Sequence, residues 1–233
     1  MLPVNRFLPL LFLLASAARA EVAASADPPG TYMGRPIAQT MHWAGADWLT
    51  RNERAREEST AKLLEDLRLK PGMVVCDLGC GNGYYTLPIA RKVAPGGKVY
   101  AVDIQPEMLR LLSERAAKEG VTGIENILGT EDDPKIPAAS CDLLLLVDAY
   151  HEFSKPSEML ARMRAALKED GLLVLAEFRA EDNQVPIKPE HKMARAQILL
   201  ELRANGFELD REFTGLPWQH LMYFRKAPPP AGK

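Results

Sequence analysis

The stretch that decides the fold is residues 74–86, which read VVCDLGCGNGYYT. The apolar run at 73–78 predicts a buried strand. Gly79, Gly81 and Gly83 then allow the backbone to turn sharply and to approach a ligand where a Cβ atom would intrude. A helix that follows such a turn leaves free N–H groups at its start, which suit an anionic group. The stretch therefore predicts a strand, a glycine turn and a helix arranged around a ligand.

Outward from this stretch, short apolar runs alternate with segments of helical periodicity, which is typical of βαβ units around a mainly parallel sheet. The other strands are predicted at 98–103, 124–128, 142–147, 171–177, 207–213 and 220–226. Helices are predicted at 52–69, 84–93, 106–119, 156–168 and 188–205. No crossover helix separates the last two strands, so the final strand must be antiparallel. The sequence predicts an α/β fold with a mainly parallel sheet of about seven strands, helices on both faces and a terminal antiparallel strand.

The helix after the glycine turn contains Pro88 near its beginning. Proline is tolerated in the first turn of a helix, because the N–H group that it lacks would have no intrahelical partner there. This places the predicted start of the helix at about Gly83 or Tyr84.

Residues 74–86 resemble the first cofactor motif of class I S-adenosylmethionine (SAM)-dependent methyltransferases, an acidic residue followed by GxGxG, and the resemblance continues to residue 177. It implies a Rossmann-like fold and SAM as the cofactor. Asp77 would balance the ammonium group of SAM. The turn residues that would approach the cofactor are Gly79, Cys80, Gly81, Asn82 and Gly83. The alternative is a turn whose glycines serve packing alone.

A dinucleotide such as NAD is the rival cofactor, because its binding folds also use glycines and a ribose-binding acid. Its fingerprint requires G-x-G-x-x-G. Counted from Gly79 the sixth position is Tyr84, and counted from Gly81 it is Thr86, so the spacing fails.

Two further acidic regions fit SAM. Asp103 ends the second predicted strand beside Ile104, where a carboxylate can accept hydrogen bonds from both ribose hydroxyls. Its alternative role is to cap the helix that starts at Pro106. Glu131 and Asp132 lie in an acidic loop after the third strand, where the resemblance implies contact with the adenine amino group, although a solvated loop fits these residues equally well.

The fourth strand is followed by Asp148, His151 and Glu152, at the sheet edge where open α/β folds bind their ligands. SAM already activates its methyl group, so the protein has to align a nucleophile and take its proton where necessary. His151 is the candidate catalytic base, Glu152 could polarise it, and Asp148 could orient it or touch the cofactor. The alternative is that these residues cap the next helix.

The absence of two sequence motifs reduces the range of possible methyl acceptors. The chain has neither an Asp/Asn-Pro-Pro-aromatic tetrapeptide, which marks amino methylation of nucleobases, nor the Pro-Cys of cytosine C5 enzymes. A small-molecule acceptor is therefore the main hypothesis. The alternatives are a non-catalytic protein that binds SAM or S-adenosylhomocysteine, and a protein carboxyl methyltransferase, which residues 97–103 resemble loosely.

Charge argues against a nucleic-acid partner, and the cysteine content argues against a disulfide framework or a zinc site. The formal net charge is −2, and no run of Lys and Arg is interleaved with aromatic residues, so nucleic acid is not an expected partner. The three cysteines Cys76, Cys80 and Cys141 support neither a disulfide framework nor a zinc site, and they are expected to be buried thiols. No metal ion is predicted.

The amino terminus predicts export. Residues 1–6 carry one positive charge, residues 7–15 are apolar, and Ala18-Arg19-Ala20 offers small residues at a cleavage site. We expect a signal peptide at 1–20, cleavage after Ala20, and a periplasmic or secreted protein with no stable membrane span. A retained anchor is the alternative.

The remaining segments flank a predicted methyltransferase domain at 57–226. Residues 21–56 are interpreted as a linker and a cap, in which Tyr32 to Arg56 form a lid over the cofactor and Trp43 and Trp48 supply an apolar wall. In the alternative, both tryptophans pack against the sheet or the next helix. Residues 227–233 are expected to be a disordered tail.

Overall fold

A computed structural model describes residues 27–228 of the chain. The predicted signal peptide at 1–20, the start of the predicted linker and residues 229–233 of the predicted tail lie outside the described residues. A short hairpin comes first, formed by β1 (Thr31–Tyr32) and β2 (Arg35–Pro36), and a 3-10 helix follows at Trp43–Thr50. None of the helices within 27–228 has the length and hydropathy needed to cross a bilayer.

The main sheet contains seven strands and confirms the predicted fold class. They are β3 (Val74–Leu78), β4 (Lys98–Asp103), β5 (Ile124–Leu128), β6 (Cys141–Val147), β7 (Leu167–Phe178), β8 (Phe207–Phe213) and β9 (Gln219–Lys226). Their order across the sheet is β5-β4-β3-β6-β7-β9-β8. The pairs from β5 to β7 are parallel, whereas β9 runs antiparallel to both β7 and β8.

Within residues 27–228, six α-helices accompany the sheet. They are α1 (Arg54–Glu57), α2 (Thr60–Asp66), α3 (Thr86–Val93), α4 (Pro106–Lys118), α5 (Pro156–Ala166) and α6 (Arg195–Ala204). Successive residues of a strand point to opposite faces. In β6, Leu144 and Leu146 pack with α5 and α6, and Leu143 and Leu145 pack with α2 and α3. The helices therefore cover both faces, as predicted, and the three cysteines are free and buried, also as predicted.

The largest differences between predicted and observed helices lie in two segments. The helix predicted at 188–205 is wrong over its first half: residues Pro189–His191 form one 3-10 turn, and α6 begins only at Arg195. The amide of Met193 donates instead to the carbonyl of Phe178, which holds this part of the chain extended beside β7. The helix predicted at 52–69 is divided into α1 and α2, because Ser59 adopts a left-handed backbone with φ 50°.

Helix α3 begins at Thr86, later than the predicted Gly83 or Tyr84. The left-handed φ angles of Gly81 (53°) and Gly83 (84°) extend the turn beyond the predicted start. Pro88 still lies in the first turn of α3, as the sequence required.

Substitution of Gly83 tests whether the turn requires glycine at this position. A Cβ atom at Gly83 would lie 2.8 Å from Leu112 Cγ and 2.8 Å from Leu87 Cδ1, and both leucines are buried. Strain at a positive φ and overpacking of the core would act together. We expect Gly83→Ala to lower the free energy of unfolding by about 2–4 kcal/mol in urea denaturation.

Gly120→Ala is the matched control for this variant. Gly120 also has a positive φ (63°), but a Cβ atom there would meet nothing within 4 Å. Gly120→Ala should lower the free energy of unfolding by about 1 kcal/mol. Equal losses in the two variants would show that packing around Gly83 is not the reason for its glycine.

Candidate active site

A cavity of about 1060 Å³ opens at the carboxyl ends of β3, β4 and β6. The last residues of these strands, Leu78, Asp103 and Val147, all line it. Parallel strands expose their carboxyl ends at one edge of a sheet, and α/β folds bind ligands there. The cavity is therefore where the fold places its candidate site.

The glycine turn forms one wall of the cavity through Gly79, Cys80 and Gly81. The amides of Gly79 and Cys80 both donate to the carbonyl of Val102, at 2.9 and 3.0 Å, and this fixes the turn against β4. Gly79 has φ 75°, and a Cβ atom on it would lie 2.7 Å from Ala149 Cβ. Glycine therefore fits this position, where the backbone is left-handed and lies close to the Ala149 side chain.

Asp77 lies below the turn and is 3% exposed. Its Oδ2 atom accepts a hydrogen bond of 2.5 Å from the Thr86 hydroxyl. Burial raises the pKa of Asp77 to about 6, against the opposing effects of Thr86 and Arg54. A cation bound beside Asp77 would favour its charged form.

Asp103 is held by two backbone amides. Its Oδ2 accepts from Gly81 N and its Oδ1 from Gln105 N, both at 2.9 Å. Gln105, and not Asp103, occupies the N-cap position of α4, so the alternative role of Asp103 as a helix cap is not what the structure shows. Each carboxylate oxygen keeps a further lone pair that can accept a hydrogen bond from a ligand.

The other predicted cofactor residues divide into two groups. Ile104 and Glu131 line the cavity with the residues described above. Asn82, Gly83 and Asp132 do not line it. Asn82 donates from Nδ2 to the carbonyl of Ala46, Gly83 packs between the leucines of α3 and α4, and Asp132 forms an exposed ion pair of 3.1 Å with Lys155.

Asp148 lines the cavity immediately after β6, with a left-handed φ of 50°. Its Oδ2 accepts a hydrogen bond of 2.7 Å from Gln219 Nε2. Among the described residues, no partner reaches its buried Oδ1. Burial raises the pKa of Asp148 well above its usual value, and the carboxylates of Glu58 and Glu177 add to the rise. An unpartnered buried oxygen of this kind fits a donor or a positive charge on a ligand.

His151 is buried at the same cavity, and its ring is fixed by Glu177. The Nδ1 atom of His151 lies 2.6 Å from Glu177 Oε2, while Glu177 Oε1 accepts from the amide of Tyr150 at 2.8 Å. Burial lowers the pKa of His151, but the Glu177 carboxylate outweighs burial and raises it above the usual value. The pair is an imidazole held in one orientation by a carboxylate.

Two more polar side chains complete this part of the cavity. His191 Nδ1 lies 3.1 Å from His151 Nε2, and Glu152 Oε1 lies 3.9 Å from each of those two nitrogens. Burial raises the pKa of Glu152 to about 7, with a further contribution from Glu177 and an opposing one from His151. His151, Asp148 and Glu152 thus lie in one cavity, as the sequence suggested.

Sequence reasoning missed Glu177 and His191. Glu177 carried a detectable signal, because it is the single charge in the apolar run at residues 172–178 of β7. Such a charge is costly unless it has a partner. His191 had no such signal, since it lies 40 residues after His151 on a segment whose predicted helix is wrong.

Comparison with known proteins identifies the family. Residues 69–220, about two thirds of the chain, match the family described as a methyltransferase domain. The chain belongs to this methyltransferase family. A SAM-dependent methyltransferase from Aquifex aeolicus has a similar structure, with a TM-score of 0.75 and 25% identity over 79% of this chain and 98% of that one. These two findings confirm the class I fold and SAM as the cofactor of this methyltransferase.

Two curated relatives are similar over part of their length. The nocamycin O-methyltransferase of Saccharothrix syringae is 33% identical over 49% of this chain and 41% of its own. The aklanonic acid methyltransferase of Streptomyces sp. strain C5 is 35% identical over 56% of this chain and 60% of its own. The methyltransferase thus spans less than two thirds of either relative.

The cavity residues fit SAM. Asp77, Asp103 and Asp148 are all buried or nearly so, and burial raises the pKa of each carboxyl group. SAM carries a sulfonium and an ammonium group. A positive charge close to a buried carboxyl group stabilises its carboxylate form, so the two charges of SAM suit these three residues. The buried Oδ1 of Asp148, which has no hydrogen-bond partner among residues 27–228, indicates that a polar ligand binds here.

Proposed function

We propose that this protein transfers a methyl group from SAM to a small-molecule acceptor bound in the same cavity. The observation that carries the proposal is a continuous cavity lined both by the glycine turn with its carboxylates and by His151. Its volume of about 1060 Å³ reaches the top of the range of about 300–1,000 Å³ for small-molecule sites. The cavity therefore has room for an acceptor beside the cofactor. The nocamycin and aklanonic acid methyltransferases, as named, support a small organic acceptor.

Each residue has a defined task in this proposal. Asp77 and Asp148 balance positive charge on the cofactor, and Asp103 accepts hydrogen bonds from the ribose. When bound, SAM supplies a methyl group that is already activated by the positive sulfur. His151 can take the acceptor's proton at Nε2, because Glu177 holds its Nδ1. The walls of the cavity align the acceptor and keep water out.

We also propose that the segment before β3 covers the cofactor. Three hydrogen bonds tie it to the cofactor side of the cavity: Asn82 Nδ2 to Ala46 O at 2.9 Å, Gln105 Nε2 to Met41 O at 2.9 Å, and Trp43 N to Gln105 Oε1 at 2.8 Å. Leu49 lies over the turn, since a Cβ atom on Gly81 would be 2.6 Å from its Cδ1. These contacts support a lid made chiefly of backbone and aliphatic groups.

The aromatic residues have a smaller part in this cover than the sequence suggested. Trp48 lines the cavity, is 55% exposed and stacks with the Arg51 guanidinium. Trp43 and Tyr32 do not line the cavity. Trp43 is 36% exposed, so neither tryptophan is packed into the core. We expect exchange of Trp48 for Phe to change acceptor turnover more than the thermal midpoint.

SAM binding should depend on pH through Asp77. The carboxylate form balances the ammonium group, and the pKa of Asp77 in the free protein is about 6. Below pH 6 the proton has to leave before the cation binds, so affinity falls as the pH falls. We expect the Kd for SAM to rise about tenfold between pH 7 and pH 5 in calorimetric titrations. Asp77→Asn should bind SAM more weakly, and its Kd should not change between pH 7 and pH 5. If the Kd of this variant changed with pH as that of the wild type does, the role of Asp77 would be contradicted.

Calorimetry with SAM tests the proposed cofactor site. Asp103→Ala should weaken binding about 10- to 100-fold, because it removes hydrogen bonds to a charged group. Asp132→Ala is the matched control, since Asp132 is exposed and lies outside the cavity. Its affinity should equal that of the wild type. Absence of binding by the wild type at about millimolar SAM would refute the proposal.

We propose, finally, that the protein is exported. The support is the sequence of residues 1–20, with its apolar run at 7–15 and the small residues before Glu21. The intact mass of the protein from its native host should match a chain that begins at Glu21. A chain that begins at Met1 or Leu2 would contradict export by this route.

A further inference from the structure

We propose that His151, His191 and Glu152 form a binding site for a divalent transition-metal ion in the wall of the cavity. These residues come from two segments, the turn after β6 and the 3-10 turn Pro189–His191. One ligand atom from each side chain lies within 4.8 Å of the others. All three residues also line the cavity, so an ion held by them would be open to a ligand there.

The distances fit a single ion. The two imidazole nitrogens, His151 Nε2 and His191 Nδ1, are 3.1 Å apart, and Glu152 Oε1 is 3.9 Å from each. The point equidistant from the corners of this triangle lies about 2.1 Å from every atom, which is the bond length of zinc to imidazole and carboxylate ligands. Closing the triangle by a few tenths of an ångström would move the ion out of the plane and leave room for a fourth ligand.

The surroundings of His151 are those of a metal ligand. Glu177 occupies the Nδ1 side of the ring at 2.6 Å, which favours the tautomer with its proton on Nδ1 and a lone pair on Nε2. A carboxylate behind a ligating histidine is the usual arrangement that orients the ring and raises its basicity. Glu177 is itself fixed by the Tyr150 amide, so the ring is oriented before any ion binds.

The charge and the donor types also agree with a divalent ion. Glu152 and Glu177 contribute two carboxylates within reach of the two imidazoles. Arg35 lies close to this group, but its Nη1 donates to the backbone carbonyl of His151 and its charge is paired with Glu201. Two imidazoles and one carboxylate suit zinc, iron, cobalt or nickel better than magnesium or calcium, which prefer oxygen ligands.

An ion at this place has a consequence for the acceptor, and this part of the inference rests on the proposed function. The ion and a proton compete for the same Nε2 atom, so His151 would not take a proton while it holds the ion. The open position of the ion would instead receive an oxygen or sulfur atom of the acceptor and lower its pKa, so that the acceptor's proton is released to solvent. The acceptor class indicated is a small molecule with a hydroxyl or thiol group that can bind the metal.

The test is direct metal binding by the full chain purified without an affinity tag. After dialysis against a chelator, Zn²⁺ should bind with a stoichiometry of one and a Kd of micromolar or below in calorimetry. Co²⁺ at the same site should give visible absorption that Zn²⁺ abolishes. His191→Ala should weaken binding at least 100-fold, and Glu177→Gln should weaken it about 10- to 100-fold through the orientation of His151.

His220→Ala is the matched control, because His220 pairs with Glu181 and does not line the cavity. It should bind Zn²⁺ as the wild type does. No stoichiometric binding by the wild type, or equal weakening in His191→Ala and His220→Ala, would overturn the site. SAM titrations on His191→Ala should match the wild type and would show that the variant is folded. Failure of SAM to bind the wild type would remove the proposed function and leave the metal site standing.

Discussion

Replacing Glu201 with Gln should lower the free energy of unfolding by about 3–5 kcal/mol, because it leaves a buried guanidinium without its counter-charge. Arg35 binds Glu201 through two hydrogen bonds, Nε to Oε1 at 2.6 Å and Nη2 to Oε2 at 3.1 Å. The Tyr150 hydroxyl donates to the same carboxylate at 2.6 Å. Glu201 is fully buried and Arg35 nearly so. Urea denaturation of the two proteins would measure the loss.

This ion pair also joins the first hairpin to the active site. Arg35 belongs to β2, and its Nη1 donates to the backbone carbonyl of His151 at 3.1 Å. A double variant, Arg35→Met with Glu201→Gln, removes both charges and should recover at least half of the lost stability. A cost below about 1 kcal/mol for Glu201→Gln alone would contradict a structural role for this pair.

Replacing His151 with Ala should lower methyl transfer at least 100-fold and change the affinity for SAM less than about threefold. His151 lines the cavity and Glu177 holds its ring in one orientation. Proton transfer by such a group contributes about 10²–10⁴-fold. The Asp77 and Asp103 contacts of the cofactor side are untouched by the change. Turnover can be measured as S-adenosylhomocysteine formed per protein.

Two variants accompany this measurement. Glu177→Gln keeps the imidazole but weakens the charge that orients it, so turnover should fall about tenfold, which marks Glu177 as a positioning residue. His220→Ala removes a histidine outside the cavity and should leave turnover unchanged. If His151→Ala lowered SAM affinity as much as turnover, the histidine would belong to the cofactor site.

The sequence predicted the central part of the fold well, for a physical reason. Strands β4 and β5 match their predicted bounds, because buried parallel strands are short apolar runs between turn residues. The glycine turn could also be predicted from the sequence. At Gly79 a left-handed backbone and the close contact with Ala149 make glycine the residue that fits. The helices at 52–69 and 188–205 were predicted from periodicity alone. The first is interrupted by the left-handed backbone of Ser59, and the second is shortened because Met193 pairs with β7.

The site was predictable only in part, because its chemistry depends on contacts that are distant in sequence. Asp148, His151 and Glu152 follow one strand, and the rule that ligands bind at strand ends was enough to find them. The partners Glu177 and His191 meet His151 through sheet pairing and loop packing, which no local pattern reveals. The assignment of Asn82 and Gly83 followed the motif, whereas in the structure neither lines the cavity. Asn82 binds the carbonyl of Ala46, and Gly83 packs against Leu87 and Leu112.

Transfer of a labelled methyl group tests the central proposal most directly. The purified protein would be incubated with SAM carrying a deuterated methyl group and a metabolite extract, and the products compared by mass spectrometry with those of Asp103→Ala. We predict a small-molecule product that gains the labelled methyl group, together with stoichiometric S-adenosylhomocysteine. Labelled product no more abundant than with Asp103→Ala, in a protein that binds SAM, would show that this cavity holds the cofactor without transferring its methyl group.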